Sequence, residues 1–375
     1  MKNIRKTVLG TLLMCLTVGS LSAQEFLWSV DVDMTFDNRE YGKSRYNWPQ
    51  TIFGANINPL VGLGWRGNSI QVGVSAMRNF GAPTKSMDWN FVFFYNYRDE
   101  RFNVSAGIIP RRQVIGGSEA FFCDSLKFFD NTIDGLLLQY RHKNDYVELF
   151  CDWDGHQTAT ERERFIVYSS GRYYPLSWLY GEYEVMMHHH AGTGSGLAAD
   201  GSEADNVVDY VMLYPRVGVD FGGKLWFDKL KVSVGWLHSF QNDRTYVGHY
   251  VKPHGMQVEA RIEKYKIGIY NTLFAGGSLM PYYDRYASSL YTGTAFYRTR
   301  SDVYNRLEAY WHPFQNEKFD LKVSTVHHYD GMKWCSQQLI TFNVMIDSDM
   351  FRKDSSVRRE LRLKRNKKAL NEASE

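Results

Sequence analysis

The chain has 375 residues, and its 44 basic and 41 acidic side chains leave a formal net charge of +3, too near neutral to argue for a nucleic-acid partner. Aromatic residues make up 15% of the chain, yet the mean hydropathy of −0.41 is that of a polar protein. After the first residues, no stretch approaches the ~18 consecutive apolar residues that a membrane helix requires. If the chain crosses a membrane, it therefore crosses as strands.

Residues 1–23 have the three parts of a secretory signal peptide: basic MKNIRK, apolar TVLGTLLMCLTVG, and small residues in SLSA before a cut near Ala23. We expect this segment to direct export and to be removed. Cys15 lies inside it, but Met14 precedes Cys15 where a lipoprotein signal requires a small residue, so we expect a precursor without a lipid anchor.

The mature chain opens on strict alternation in FLWSVDVDMTFD, residues 26–37. Its apolar positions are Trp28, Val30, Val32, Met34 and Phe36, and its polar positions are Ser29, Asp31, Asp33, Thr35 and Asp37. A period of two residues predicts a strand with one apolar and one polar face.

The same alternation recurs along the chain in pairs of strands joined by short polar turns. We predict seven such turns, at 66–68, 99–100, 144–145, near 228, at 263–264, near 316 and, less clearly marked, within 169–178. Longer polar segments separate the pairs at about 38–50, 79–87, 110–132, 154–161, 187–205, 241–254, 276–292 and 330–333. Short turns at one end and long loops at the other are the layout of an outer-membrane barrel.

Seven turns and eight loops join about sixteen strands, with fourteen or eighteen as alternatives, and place both termini on the periplasmic side. We predict an all-β, antiparallel up-and-down transmembrane barrel over residues 24–351, since no linker interrupts the pattern. In a barrel of this size the charged faces line a wide, water-filled lumen and the apolar faces contact lipid. Residues 352–375 form a basic tail, which we expect to be disordered in the periplasm.

In this pattern and loop layout, residues 25–347 resemble a general porin, the sixteen-strand diffusion channel of Gram-negative outer membranes. The resemblance implies contact with outer-membrane lipid, passive diffusion of small hydrophilic solutes, no cofactor, and a monomer or homo-oligomer. The chain departs from that family at its end, because porins usually finish on an aromatic residue, whereas a tail follows Phe351 here.

The third outward loop, residues 110–132, carries Glu119 and Asp124. The resemblance implies that this loop folds into the lumen and places both acids near the narrowest point. Basic side chains opposite them would create a transverse field that sorts solutes by charge and dipole. Four arginines are in phase with the lumen face of their strands: Arg141, Arg216, Arg261 and Arg306. Alternatively, these charges only solvate the lumen or pair with neighbouring acids.

Arg111 and Arg112 stand at the base of the same loop. A basic pair in this position is able to bind phosphate or carboxylate groups. Lumen-facing acids are at least as numerous as lumen-facing bases, so the sequence does not predict an ion preference.

Histidines occur in two clusters that invite a chemical interpretation. His188, His189 and His190 precede several acids, but adjacent strand residues point to opposite faces, so we predict no metal site. His327 lies near Ser324, as in outer-membrane acyl hydrolases that use a serine and a histidine on the lipid-facing wall. These two residues have opposite phase on a strand and cannot share a proton. We therefore predict no enzymatic activity.

The mature cysteines are Cys123, Cys151 and Cys335, which is neither a disulfide framework nor a zinc pattern. A pair between Cys123 and Cys151 in the oxidising periplasm stays open. Two other protein classes also stay open: a plugged barrel that binds a glycan or surface partner through its aromatic loops, and a secreted all-β carbohydrate binder.

Overall fold

The computed structural model describes residues 25–42, 44, 47–82, 87–299 and 301–351. Within these ranges, antiparallel strands close into one barrel in which each strand pairs with its neighbours in the chain and the first pairs with the last. The strands are β1 (Glu25–Glu40), β2 (Gln50–Trp65), β3 (Asn68–Asn79), β4 (Asp88–Arg98), β5 (Phe102–Pro110), β6 (Thr132–His142), β7 (Asp145–Gly155), β8 (Arg164–Leu176), β9 (Leu179–His190), β10 (Val208–Asp220), β11 (Lys229–Asp243), β12 (His254–Lys264), β13 (Ile267–Gly276), β14 (Val303–Asn316), β15 (Phe319–Tyr329) and β16 (Trp334–Asp347). The sixteen-strand prediction is confirmed. The predicted signal peptide and basic tail lie outside the described residues.

The helices of the described chain are short and lie in the connections between strands or after β16. Two are α-helices, α1 (Asp124–Phe129) and α2 (Tyr283–Tyr286), and four are 3-10 helices, Arg111–Gln113, Ala287–Ser289, Ala295–Arg298 and Ser348–Phe351. No helix among the described residues is both long and apolar enough to span a membrane.

The connections alternate as predicted between seven turns at one end and eight loops at the other. The turn placed at 263–264 is wrong by two residues. Lys264 still pairs with Ile267 in the β12–β13 ladder, and the turn residues are Tyr265 and Lys266, whose φ values are 51° and 65°. Two successive residues with positive φ give a hairpin turn whose twist matches that of the flanking strands.

The apolar face points outward and the charged face inward, which confirms the predicted orientation. Val61 and Phe93 are 48% and 49% exposed on the outer wall, whereas Glu148 is 1% exposed in the interior. Exposed aromatic rings mark both ends of the outer wall, as membrane interfaces favour. Towards the turns lie Phe26, Phe102, Tyr173, Trp226 and Tyr265, and towards the loops lie Phe53, Phe80, Trp89, Trp236 and Trp334.

Two loops occupy the extracellular half of the lumen. They are loop 3, residues 111–131, and loop 7, of which residues 277–299, 301 and 302 are described. The backbone N–H groups of Ile115 and Gly116 donate to the inward-facing carboxylate of Glu148 at 2.9 and 2.6 Å. From loop 7, the Leu290 carbonyl lies 2.8 Å from Nδ1 of His188 on β9. These contacts place loops 3 and 7 against inward-facing residues of the wall, inside the lumen.

Loops 3 and 7 together form a plug, and aromatic packing holds this plug against the wall of the barrel. Phe121 and Phe122 of loop 3 are buried, and the Phe122 ring lies 5.0 Å from the Tyr168 ring and 5.9 Å from the Phe150 ring. Burying such side chains stabilises the loop by about 1.5–3 kcal/mol each. The hydrophobic core therefore lies inside the extracellular half of the barrel, between its wall and loops 3 and 7.

Candidate functional site

The structure brings the two predicted acids of loop 3 together. Asp124 begins α1, and its carboxylate lies 3.7 Å from Lys127 and 3.9 Å from Arg306 on β14. Glu119 hydrogen-bonds to Asp124. Burial, followed by the nearby Asp124 charge, raises the pKa of Glu119 to about 8. Burial alone would raise the pKa of Asp124, but Lys127 and Arg306 lower it below its usual range.

Of the four predicted wall arginines, Arg306 is the one that the structure brings to these acids. Its stronger partner is Glu308, at 2.9 Å. Arg216 instead pairs with Glu182 and Glu184 at 3.0 and 2.7 Å. A constriction built from these charges stays a prediction.

The remaining predicted arginines lie elsewhere. Arg261 donates to the Tyr310 hydroxyl at 2.8 Å, and Arg141 donates to the amide oxygen of Gln139 at 3.0 Å. Both belong to the periplasmic part of the lumen, because they stand near the turn ends of β12 and β6.

The basic pair at the base of loop 3 is engaged by acids. Arg111 bridges Asp130 and Asp152 at 2.7 Å each, and Arg112 forms an ion pair with Asp31. Arg111, at 8% exposure, anchors the loop to the wall and is not presented to solutes.

The histidine triplet splits between the two faces as the alternation requires. His188 and His190 are buried and face the lumen, whereas His189 on the outer wall packs 4.9 Å from the Phe165 ring. Within the described ranges, no group of three or more His, Cys, Asp and Glu side chains is arranged to hold a metal ion. Among the described residues, Cys123, Cys151 and Cys335 form no disulfide, so Cys123 and Cys151 are not paired.

A polar patch interrupts the lipid-facing wall near the extracellular ends of β15, β16, β1 and β2. We call it the outer patch; its residues are Thr325, His327, Ser336, Gln338, Asn38, Glu40 and Thr51. Ser324 is buried on the opposite side of β15 from exposed His327, which confirms that they cannot share a proton. Ser336 of β16, however, stands directly opposite His327 in the ladder. Such partners have Cβ atoms about 4.5–5.5 Å apart.

The outer patch has two rows across the strands. In one row Ser336 pairs with His327 on one side and Glu40 on the other. In the next row Gln338 lies between Thr325 and Asn38. The Thr325 hydroxyl is 3.4 Å from Nε2 of His327.

Hydrogen bonds fix the amide groups of the outer patch. Asn38 Nδ2 donates to Oε1 of Gln338 at 2.6 Å and to Oε1 of Glu40 at 3.1 Å. Its own Oδ1 accepts from the Thr51 hydroxyl at 3.0 Å. Because the Gln338 oxygen accepts from Asn38, one end of this amide is held in place.

The setting of the outer patch distinguishes it from the rest of the wall. On β4 the corresponding outward positions are aromatic, with Trp89 and Phe91 both more than half exposed. The shortest of the eight loops, residues 330–333, joins β15 to β16 above the outer patch. Polar side chains that face lipid are costly, and here they lie where a lipid headgroup is able to approach from the side.

A closed sixteen-strand barrel with apolar outer wall, aromatic belts and charged interior defines an outer-membrane β-barrel of the porin type. Among solved structures it is similar to a loop L8 deletion mutant of OmpT, an outer membrane protein of Vibrio cholerae, at 9% identity and a TM-score of 0.50, covering 87% of this chain and 100% of that one. OprB of Pseudomonas putida matches at 9% identity and a TM-score of 0.48, covering 86% and 94%. At such identities the likeness is one of fold.

A family model described as Lipid A 3'-O-deacylase-type matches residues 19–353, and the chain belongs to that family. No curated protein matches the sequence. The expectation of no enzymatic activity is therefore wrong, because the family is one of enzymes.

The error has a physical origin. Sequence reasoning tested His327 only against Ser324, its neighbour along one strand. Ser336 becomes its partner through the register of two strands, which the sequence fixes only once the turn and loop lengths are known. The signal that was available is the run of outward polar residues at the start of β16, Ser336 and Gln338, between the apolar outward positions Trp334 and Ile340.

Proposed function

We propose that this protein is an outer-membrane esterase that removes an ester-linked acyl chain from lipid A, and that it acts at the outer patch. The observation that carries the proposal is the juxtaposition of His327 and Ser336 on the lipid-facing wall, in a chain that belongs to a deacylase family. A membrane glycolipid keeps its acyl chains in hydrocarbon and its sugars at the interface. Its ester groups therefore reach a wall site near the rim without leaving the membrane.

In the proposed reaction His327 is the general base. It takes the proton of the Ser336 hydroxyl as that oxygen attacks the ester carbonyl, and it returns the proton to the sugar oxygen that leaves. Water then hydrolyses the acyl-serine by the same route and releases the fatty acid. His327 is exposed and so is accessible to a substrate in the bilayer.

The tetrahedral intermediate carries a negative charge on the former carbonyl oxygen. The –NH₂ group of Gln338 is suited to donate to it, because Asn38 holds the other end of the same amide. Glu40 and Thr51 fix Asn38 in turn. Fixed donors of this kind typically contribute about 2.7–4 kcal/mol to the activation step.

The test is acyl release from purified lipid A in mixed detergent micelles, followed by mass spectrometry of the lipid product. Wild type is compared with His327→Gln and Ser336→Ala. The matched control is His189→Gln, which alters an outward-facing histidine at the extracellular end of β9. Folding of each variant is verified by heat-modifiable migration in gels.

We expect wild type and His189→Gln to release an acyl chain, and His327→Gln and Ser336→Ala to be slower by at least about 100-fold. Loss in His327→Gln with retention in Ser336→Ala would overturn the serine as nucleophile and assign the attack to water. Full activity of both variants would overturn the outer patch as the site. A folded wild-type protein that leaves lipid A intact would overturn the proposed function.

Passive diffusion of small hydrophilic solutes is a second candidate function. It is supported by a cavity of about 680 Å³ below loop 3, lined by side chains such as Asp33, Lys127 and Arg172. Passage to the outside then requires loops 3 and 7 to part.

A homo-oligomer would place the outer walls of several copies in contact, and the outer patch is one face suited to that.

Single-channel recording in a planar bilayer tests the second candidate with wild type beside the double variant Glu119→Gln/Asp124→Asn. Discrete steps whose selectivity moves towards anions in the variant would support diffusion past loop 3. No steps from a folded barrel would reject passive diffusion. Cross-linking of the purified protein tests the oligomer.

A further inference from the structure

A belt of cations lies at the periplasmic end of the lumen, on strands from β4 to β15. We call it the basic belt; its residues are Arg98, Arg141, Arg172, Lys229, Lys231, Arg261 and Lys322. All of them occupy inward-facing positions near the turn ends of their strands. It is separate from the outer patch, which lies on the opposite face and at the opposite end of the barrel.

In the paired part of the basic belt the cation is always more exposed than its acid. The side chains of Arg172 and Glu182 are 30% and 5% exposed. Those of Lys229 and Glu263 are 36% and 5% exposed. The surface that a solute meets is therefore formed by ammonium and guanidinium groups, with the carboxylates beneath them.

The same asymmetry continues on β11 and β15. Lys231 is 33% exposed over Asp220 at 17%. Lys322 is 24% exposed and forms an ion pair with Glu308, which is 3% exposed. Aromatic rings support several of these cations from below, as when Arg261 lies 5.0 Å from the Tyr310 ring centroid. A cation held on a ring face is pre-oriented and keeps its remaining donors free.

Two members of the basic belt have amide partners in place of carboxylates. Arg98 donates to Oδ1 of Asn103 at 3.1 Å, and Arg141 donates to Oε1 of Gln139 at 3.0 Å. Their strands, β4 and β6, flank β5, and their partners are linked, because Asn103 Nδ2 donates at 2.9 Å to the same Gln139 oxygen that accepts from Arg141. Arg98 and Arg141 repel each other, and the Asp349 carboxylate offsets part of the charge of Arg98. Two like charges that face one lumen favour a bound anion.

We propose that the basic belt is a binding site for a multivalent anion, such as a compound with phosphate groups, that enters the lumen from the periplasm. The planar, two-pronged donors of Arg98 and Arg141 match phosphate oxygens. Loops 3 and 7 close the lumen above, so the site is reached from below. The proposal is independent of lipid A deacylation.

The test is titration calorimetry of the purified, folded barrel with inorganic pyrophosphate. The variant is Arg98→Gln/Arg141→Gln, chosen because both arginines donate to amide oxygens, those of Asn103 and Gln139. The control is Arg101→Gln/Lys143→Gln, which removes the same charge from exposed turn residues beside the same strands.

We expect wild type and control to bind pyrophosphate with equal affinity and the Arg98→Gln/Arg141→Gln variant to bind at least 10-fold more weakly. Affinity should also fall steeply with added salt. Equal binding by all three proteins would overturn the assignment of the site, and so would an equal loss in variant and control. No binding by wild type at millimolar pyrophosphate would overturn the site itself.

Discussion

The hydroxyl group of Thr292 donates a 2.6 Å hydrogen bond to the carbonyl oxygen of Phe121. This bond joins loop 7 to loop 3 inside the lumen. The backbone N–H groups of Cys123 and Thr294 add two more bonds between the loops, to the carbonyl oxygens of Thr292 and Glu119, each 2.9 Å long. The two loops therefore close the barrel as one unit.

Gly293 allows this close approach, since a Cβ atom there would lie 2.1 Å from the Ala120 carbonyl oxygen. We predict that Gly293→Ala separates the loops and lowers the free energy of unfolding by about 1–3 kcal/mol. Urea unfolding measures the stability, and added protease measures loop exposure by cutting within residues 277–302. Gly277→Ala is the control, because a Cβ atom there meets nothing within 4 Å. Equal cutting rates in both variants would contradict the prediction.

A substitution in the outer patch should reduce activity without reducing stability. We predict that Gln338→Leu reduces deacylation of lipid A at least 10-fold while leaving the unfolding free energy unchanged or higher, because leucine suits a lipid-facing position. Gln257→Leu is the contrast. Gln257 is 1% exposed and hydrogen-bonds to Tyr297 and Tyr214, so this variant should be destabilised. Stability loss in Gln338→Leu equal to that of Gln257→Leu would count against the functional interpretation.

Arg216 balances two buried carboxylates of β9. Its side chain is 9% exposed, and those of Glu182 and Glu184 are 5% and 1% exposed. We predict that Arg216→Met costs about 3–5 kcal/mol of unfolding free energy, because it leaves an uncompensated buried charge. Arg141→Met, which removes a cation without a carboxylate partner, should cause no measurable change. Equal free energies of unfolding for the two variants in urea would contradict this prediction.

The Glu119 and Asp124 pair should make stability depend on pH. The pKa of Glu119 is raised in the folded protein to about 8 from an ordinary value of 4.5, so the folded state holds its proton over a range where the unfolded chain has lost it. The free energy of unfolding should therefore fall as pH rises from about 5 to about 8. Glu119→Gln should remove this part of the slope, and Glu203→Gln, at an exposed loop position, should retain it. Identical slopes in both variants would contradict the assignment.

Much of the fold was predictable because lipid imposes a simple pattern. Every strand crosses with one apolar face, so period-two alternation identified strands such as β1 and β12, and turn and loop lengths gave their number. The turn after β12 was misplaced because Glu263 and Lys264 are polar residues that still belong to the ladder. Polarity is a weak guide to the position of a turn in this barrel, because strand residues near the turns are also charged.

The candidate site was less predictable, because it depends on which residues face each other across strands. Asp124 and Arg306 lie 3.9 Å apart, but the constriction expected from them stays a prediction. The partner of His327 was missed, because Ser336 lies on the next strand. Closure of the barrel by aromatic loops was expected only under the alternative of a plugged barrel, because the packing of loop 7 depends on long-range contacts, such as Tyr297 with Gln257.

The outer patch also straddles the seam where the barrel closes. Asn38 and Glu40 come from the first strand, and His327 and Ser336 come from the last two, almost 300 residues later in the chain. His327 and Ser336 belong to one hairpin, but Asn38 and Glu40 join them only when β1 pairs with β16. In the proposed hydrolase, Asn38 therefore holds the amide of Gln338 only after the first and last strands have paired and the barrel has closed.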